Sequence, residues 1–451
     1  MSARPVPIKI HPRLPRGRFH NGRVAMVILT QLVFLVTPWL NWNGRQAVLF
    51  DFVGARFSLF GATLLPQDFV YLAALLVFCA LALFWWTALA GRLWCGFACP
   101  QTVYSEIMIW IERAILGDRK ARLALDAAPW SAAKLAKKGA AQAAMIAVSL
   151  VTGFAFVGWF TPIRALAGEL SGWPLFWVLC YGGLVYLLAG RLREKVCLFM
   201  CPYSRFQGVM FDRDTLTVSY DAGRGEPRGA RRKGATLAEP GARGDCVDCG
   251  LCVQVCPTGI DIRAGLQYEC IDCAACVDAC DEVMDKIGAP RGLIRFASEA
   301  QLSGAPDARP AWRRFARPRV LVYSALMGLV AAGTAVGFAT RTPLELSVLR
   351  DRAFLVRETP EGWLENGYTA RVVNADDTTR TLRFAVDGLP GARLAEAPVV
   401  TLPPSKSATV TLRVAAPPES VHRGSQPLRF VVEAVGAPGL KASEEGRFIG
   451  E

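Results

Sequence analysis

The chain has 451 residues, enough for several domains, and 52% of them are hydrophobic, too many for an ordinary soluble protein. A formal net charge of +13 would suit a nucleic-acid partner, but long apolar runs set among basic connections exclude that reading in favour of a membrane protein. Three histidines, His11, His20 and His422, are too few for haem held by histidine pairs across helices.

Residues 1–23 are basic and proline-rich, carrying Arg4, Lys9, Arg13, Arg16, Arg18 and Arg23. The apolar run after them has no small-residue cleavage site, so no cleavable signal peptide is expected. Apolar runs at 24–42, 68–90, 141–161, 174–190 and 320–339 are each about long enough to cross a bilayer, and only helices satisfy their own backbone there. Trp39, Trp42, Trp85 and Trp86 close the first two runs as interfacial anchors. Residues 47–66 are apolar but broken by Asp51, Gly54, Arg56 and Gly61, which reads as an interfacial or re-entrant piece. A short turn with Arg164 and Glu169 joins the third and fourth runs, and Glu169 reads as an ordinary loop acid. Gly328, Gly333 and Gly337 predict close packing of the fifth.

Lysine and arginine gather in three places. They are the N-terminal segment, the 91–140 connection (Arg92, Arg113, Arg119, Lys120, Arg122, Lys134, Lys137, Lys138) and the 191–319 connection, including Arg313, Arg314, Arg317 and Arg319. These are expected in the cytosol, which puts the C-terminus in the periplasm.

Two matched motifs follow the second and fourth runs: Cys95-Gly96-Phe97-Ala98-Cys99-Pro100 and Cys197-Leu198-Phe199-Met200-Cys201-Pro202. Each is CxxxCP with arginine close upstream, Arg92 in one case and Arg191 and Arg193 in the other. A helical spacing of four would put both sulfurs on one face, and proline opens the next helix. Cys99 and Cys201 are then expected at N-caps, where the helix dipole favours thiolate. Paired thiolates there could bind Cu(I), cycle between dithiol and disulfide, or ligate another cluster. Met200 and Met210 could add thioethers. Cys79 and Cys180, single within spans, read as packing residues. Glu106 and Glu112 fall on an amphipathic stretch, 104–116, and read as solvated or at the headgroup edge.

The most specific pattern runs from Cys246 to Cys280. It reads Cys246-x2-Cys249-x2-Cys252-x3-Cys256-Pro257, then Cys270-x2-Cys273-x2-Cys276-x3-Cys280. Three closely spaced thiolates wrap one iron–sulfur cube while the distal cysteine ligates the other. Cys246, Cys249, Cys252 and Cys280 then hold one [4Fe–4S] cluster, and Cys256, Cys270, Cys273 and Cys276 the other. Zinc would favour paired knuckles with histidine, and disulfides would need an oxidising compartment. Reduced thiols during assembly agree with the charge pattern in placing this stretch in the cytosol. Beyond residue 342 short alternating runs, 368–373, 381–386, 409–414 and 428–432, are punctuated by Gly388-Leu389-Pro390-Gly391 and Pro403-Pro404, a β-sandwich pattern with no metal chemistry expected.

The expected fold is a membrane α-helical bundle of about five spans, with an inserted cytosolic bacterial-type 2[4Fe–4S] ferredoxin domain and a C-terminal all-β immunoglobulin-like domain. In order, the divisions are a basic segment at 1–23, a four-span domain at 24–212, a linker at 213–240, the ferredoxin domain at 241–290, a basic linker at 291–319, a fifth span at 320–341 and the periplasmic sandwich at 342–451.

Several stretches carry a resemblance. They are Trp94-Cys95-Gly96-Phe97-Ala98-Cys99-Pro100-Gln101-Thr102-Val103-Tyr104, Phe160-Thr161-Pro162-Ile163-Arg164, Met200-Cys201-Pro202-Tyr203-Ser204-Arg205-Phe206-Gln207, Gly225-Glu226-Pro227-Arg228-Gly229, and Gly244 through Asp281. With these the chain resembles the CcoG family, also called FixG or RdxA, membrane polyferredoxins that serve as accessory proteins for cbb-type cytochrome c oxidase. The resemblance covers nearly the whole chain, the terminal immunoglobulin-like module included. It implies a protein of the bacterial inner membrane that reduces Cu(II) to Cu(I), with copper held at Cys95, Cys99, Cys197 and Cys201. The Cu(I) would pass to copper-export and oxidase-assembly proteins, and the electron donor stays open. Two other readings stand beside it: quinol oxidation feeding a redox partner, and a non-enzymatic scaffold docking through the β-domain.

Overall fold

The computed structural model describes residues 10–450 except 55, 65–67, 231–243, 305–313, 352–355, 377, 405 and 438. Arg4, Lys9 and Arg313, read above as charge markers, and the 231–240 part of the first linker lie outside the described residues. The chain forms two compact units, one of Met1–Leu40 with Ala73–Ala331 and one of Asn41–Leu72 with Ala332–Glu451.

Among the described residues five helices are long and apolar enough to cross a membrane: Arg18–Trp39, Phe69–Ala90, Ala132–Val157, Gly172–Leu192 and Pro318–Ala339. Each covers an expected run, but the ends move. The third begins at Ala132 because Ser131 caps it, accepting a 3.2 Å hydrogen bond from Lys134 N, so Lys134, Lys137 and Lys138 lie on helix rather than loop. The first begins at Arg18, and its cap comes from a distant residue. Backbone N–H groups of Phe19 and His20 donate to the Asp278 carboxylate at 3.2 and 2.7 Å, placing a negative charge at the helix's positive end. The turn between third and fourth spans holds a short helix, Ile163–Gly168. Glu169 beyond it is exposed and accepts from Ser171 Oγ at 3.3 Å, as a loop acid should.

Small residues bring spans together in two places: a Cβ on Gly337 of the fifth would stand 3.4 Å from the Tyr71 ring of the second, and the third and fourth meet at glycines. A Cβ on Gly153 would stand 2.4 Å from Val178 O, and one on Gly182 would stand 3.0 Å from Ser149 O. The third and fourth helices therefore touch backbone to backbone. Gly328 and Gly333 have nothing within 4 Å of that position, because the fifth span is mostly exposed. Cys79 and Cys180 are exposed on their spans as well, which corrects their reading as packing residues. On a membrane span such a face meets lipid.

The cysteine-rich stretch is bracketed by strands Thr217–Tyr220 and Ile294–Ala297, paired antiparallel. The ferredoxin-like fold thus reaches into both segments read as linkers. Its core includes Val218, Tyr220, Ile262, Val277, Met284, Leu293 and Ile294.

In the second unit, the described residues of 47–66, read from sequence as an interfacial or re-entrant piece, are strands and turns. They form a three-stranded antiparallel meander, Val48–Asp51, Arg56–Leu59 and Ala62–Leu64. Asp51 Oδ1 accepts from Gly54 N at 2.7 Å and closes the first turn, so the polar residues that broke the apolar run are turn chemistry. Residues 344–450 build two antiparallel sheets. One runs in the order Arg393–Leu394, Lys406–Ala416, Leu364–Asn374, Leu344–Arg350; the other Val399–Leu402, Arg380–Asp387, Gly424–Ala434, Lys441–Gly450. Tyr368 and Phe430 meet edge-on at 4.7 Å in the shared core, the inward half of the alternation read from sequence. The whole is a five-span membrane helical protein with an inserted ferredoxin-type domain and a C-terminal immunoglobulin-like sandwich.

Candidate functional site

The two cysteine runs fold as repeats of one another. In the first, Asp248 and Gly250 take positive φ, at 53° and 64°; in the second, Asp272 and Ala274 do so at 51° and 56°. These are the same two positions relative to the leading cysteine. Left-handed residues there curl each loop so that three thiols converge. Each loop then enters a helix, Leu251–Val255 or Ala275–Ile287. Arg263 braces the first loop, donating to Asp248 at 2.5 Å and Asp261 at 2.8 Å.

The loops wall two cavities. Cys246, Cys249, Cys252 and Cys280 line one. Cys256, Cys270, Cys273 and Cys276 line the other, whose wall Cys252 also reaches. Each sequence quartet thus lines one cavity, with Cys252 on the wall of both. Among the described residues no three His, Cys, Asp or Glu side chains stand close enough to hold a single metal ion. Burial pushes the Cys252 and Cys273 thiols up to about 11 and Cys280 to about 12, and Cys270 and Cys276 also rise well above the ordinary value. Such thiols ionise only against strong positive charge, which bound iron supplies.

The CxxxCP motifs lie in the same unit and match each other closely. Cys99 and Cys201 are the N-cap residues of helices Pro100–Leu116 and Pro202–Met210, each with proline at the first position, as expected. A hydroxyl three residues on closes each loop: Thr102 Oγ1 donates to Cys95 O at 2.6 Å, and Ser204 Oγ to Cys197 O at 2.8 Å. The motifs are not continuous helix. Cys95 sits in the short helix Leu93–Phe97, and Cys197 in a π-helical turn, Val196–Met200. The expected thiolate character is overturned at Cys99, whose thiol is pushed up by burial, with only backbone hydrogen bonds opposing. Burial lifts Cys95 and Cys197 to about 12; the charge of Cys99 comes next for both, Gln207 and Arg92 oppose the rise at Cys95 ahead of the smaller push from Cys201, and Cys95 and Cys201 add to it at Cys197. All four thiols therefore share one region, though no three of them form a single-ion cage. Gln207, fully buried, lies 3.5 Å from Cys95 Sγ through Nε2. Met200 is exposed and Met210 half-buried.

Glu106 and Glu112 are buried rather than solvated. Arg193 donates to both Glu112 oxygens, at 2.5 and 3.1 Å, and Arg122 adds a bond at 3.0 Å. Glu106 pairs with Arg23 at 3.7 Å. Burial raises the Glu112 carboxyl, but the hydrogen bonds and charges of Arg193 and Arg122 outweigh it and hold the group below its ordinary value. Arg193 itself takes a left-handed φ of 49°, a strained conformation for a non-glycine residue that the bidentate pair holds in place. Periodicity put Glu112 on a polar stripe; only the fold shows that this stripe faces the arginine preceding the second motif. Glu194, beside Cys197, is raised to about 7 by burial.

A family model described as a 4Fe-4S dicluster domain matches residues 192–299, and a 4Fe-4S binding domain matches 72–122. The IG-like fold at the C-terminus of FixG matches 334–451. Protein RdxA of Cereibacter sphaeroides is 38% identical over 397 residues, 85% of this chain and 83% of its own. Nitrogen fixation protein FixG of Rhizobium meliloti is 38% identical over 424 residues, 86% of this chain and 80% of its own. Among solved structures, a FixG-related protein from Vibrio parahaemolyticus is similar over 24% of this chain and 97% of its own, at 23% identity and a TM-score of 0.22. The chain is a membrane-bound iron–sulfur electron-transfer protein with two [4Fe–4S] clusters.

Proposed function

The chain belongs to the FixG/RdxA family, and from that premise we propose that it is an oxidoreductase that reduces Cu(II) to Cu(I) on the cytosolic side of a bacterial inner membrane. The N-terminal segment and the ferredoxin-type domain lie in the cytosol and the β-sandwich in the periplasm. The observation that carries this reading is the packing of Cys95 on the loop of the second thiol quartet. Cys95 and Cys276 pack against one apolar cluster of Val255, Ile271, Cys273, Ala275 and Ala279. One-electron carriers and paired soft ligands thus adjoin.

Cys246, Cys249, Cys252 and Cys280 hold one cluster, and Cys256, Cys270, Cys273 and Cys276 the other; each quartet supplies four soft donors around one cavity. The bound clusters supply single electrons. Cys95, Cys99, Cys197 and Cys201 receive copper. The charges of Cys99, Cys95 and Cys201 all act on Cys197, so the two motifs offer their thiols to one region. Thiolates favour Cu(I) over Cu(II), so binding drives the reduction. The chemistry balances simply: Cu(II) gains one electron, no covalent bond is transferred, and the raised thiols release protons as metal binds. Copper-export and oxidase-assembly proteins are the partners for the Cu(I), and nucleic acid is not one.

A second reading, quinol oxidation feeding the clusters, has one feature in its favour: a groove lined by Cys197, Phe199, Ser204, Val209, Tyr268 and Glu269. Cluster reduction by a soluble quinol analogue would support it. To test the first reading, anaerobically purified protein receives a reductant and Cu(II), and Cu(I) is read with a chelator. Replacing all four CxxxCP cysteines with serine is expected to abolish Cu(I) production while iron stays at about eight per chain. Full activity in that variant would overturn the copper site.

A further inference from the structure

We infer that Gly96 and Arg92 are positioning residues that seat both CxxxCP motifs on the Cys256/Cys270/Cys273/Cys276 cradle, making that cradle the electron exit and the other the entry. The inference rests on the copper-reducing reading and names the order of its parts.

The contact is backbone against backbone. A Cβ on Gly96 would stand 2.7 Å from Ile271 O, 2.8 Å from Cys273 Cα and 2.9 Å from Asp272 C. No side chain fits at that position without prising the two loops apart. Arg92, fully buried, ties three segments at this point. Its backbone N–H donates to Asp272 Oδ2 at 2.9 Å, and its guanidinium donates to Cys270 O at 3.2 Å and to the carbonyls of Tyr268 and Ser204. Ser204 follows the second motif, so one side chain holds both motifs to one ferredoxin loop. Asp272 completes the tie by accepting from Val218 N at 3.0 Å. From the second motif, Cys197 shares a small cavity with Pro257, Thr258 and Ile271, again beside this cradle. The other cradle is closed by Tyr220, Arg263, Met284 and Leu293, with no residue of either motif on its wall.

Two kinds of variant test the inference on the full-length protein. Arg92→Gln removes a buried positive charge beside one quartet. In an EPR-monitored redox titration it is expected to lower one midpoint potential and leave the second unmoved. Cys249→Ser and Cys273→Ser variants identify which signal belongs to which quartet, and the moving one should be that of Cys273. Gly96→Ala is expected to keep its iron, yet reoxidation of the pre-reduced protein by Cu(II) should slow at least roughly tenfold through misplacement of the junction. Gly139→Ala, with nothing within 4 Å, is the control and should not slow. If the Cys249 signal moves, or neither moves, or Gly96→Ala reoxidises at the wild-type rate, the inference fails. Failure of the copper reading looks different: protein with Cys95, Cys99, Cys197 and Cys201 all serine would be reoxidised by Cu(II) as fast as wild type, while the potential shift in Arg92→Gln would still report on the junction.

Discussion

Cys273→Ser is expected to strip one cluster from the chain, taking iron from about eight atoms to about four. Cys273 is buried in the second cradle, where its thiol is pushed up to about 11. A serine hydroxyl is a harder donor and far less acidic, so it replaces the thiolate poorly at an iron corner. The first quartet, Cys246, Cys249, Cys252 and Cys280, keeps all its thiols, so one reduced-cluster EPR signal should persist. Cu(II) reduction should fall to background, because the cradle that is lost adjoins Cys95. Iron analysis with EPR on anaerobic protein checks this, and a variant retaining about eight iron atoms would refute the grouping.

Glu112→Ala is expected to destabilise the membrane domain by about 3–5 kcal/mol, the usual cost of leaving one side of a buried ion pair uncompensated. Two guanidiniums would be stranded, since Arg122 and Arg193 have side chains only 3% and 13% exposed. The pair spans the end of the first CxxxCP helix and the arginine four residues before the second motif, so loss of Cu(II) reduction should accompany the loss of stability. Acid tests the same contact. The folded carboxyl lies below its ordinary value of 4.5, so the unfolded chain binds more protons as pH falls through that range. The stability that Glu112 contributes is whole above pH 4.5 and is lost as pH drops through the depressed folded value. The difference in thermal midpoint between wild type and Glu112→Gln should be constant near neutrality and should close in acid. A difference that persists or widens in acid would remove the electrostatic explanation.

The cysteine cradles were legible from sequence because cluster ligation fixes spacing locally. The x2-x2 run is its own geometry, and the distal cysteine lies one helical turn or one loop away. The spans were legible for a similar reason, since apolar length alone decides them. Their ends were not, because Ser131 and Asp278 are caps, and Asp278 lies far along the chain from the helix it caps. The strands within 47–66 were not legible because Asp51 and Gly54 can break a helix or close a hairpin, and local pattern does not choose between the two. Glu112 was misread because its partner Arg193 is 81 residues away. At Cys99 the helix dipole was a sound local argument that lost to burial, a property of the packed structure. Gly96 looked like any loop glycine until the opposing Ile271 and Cys273 backbone stood against it.

The central claim is that electrons stored on the two clusters leave through the CxxxCP thiols to copper. The most direct test is a single-turnover mixing experiment: fully pre-reduced protein, freed of excess reductant, meets Cu(II) in the presence of a Cu(I) chelator. Cluster bleaching and Cu(I) appearance should rise together with the same rate constant, approaching about two Cu(I) per chain from two one-electron clusters. Clusters that stay reduced while Cu(II) persists, or Cu(I) formed at the same rate and yield when Cys95, Cys99, Cys197 and Cys201 are all serine, would contradict it.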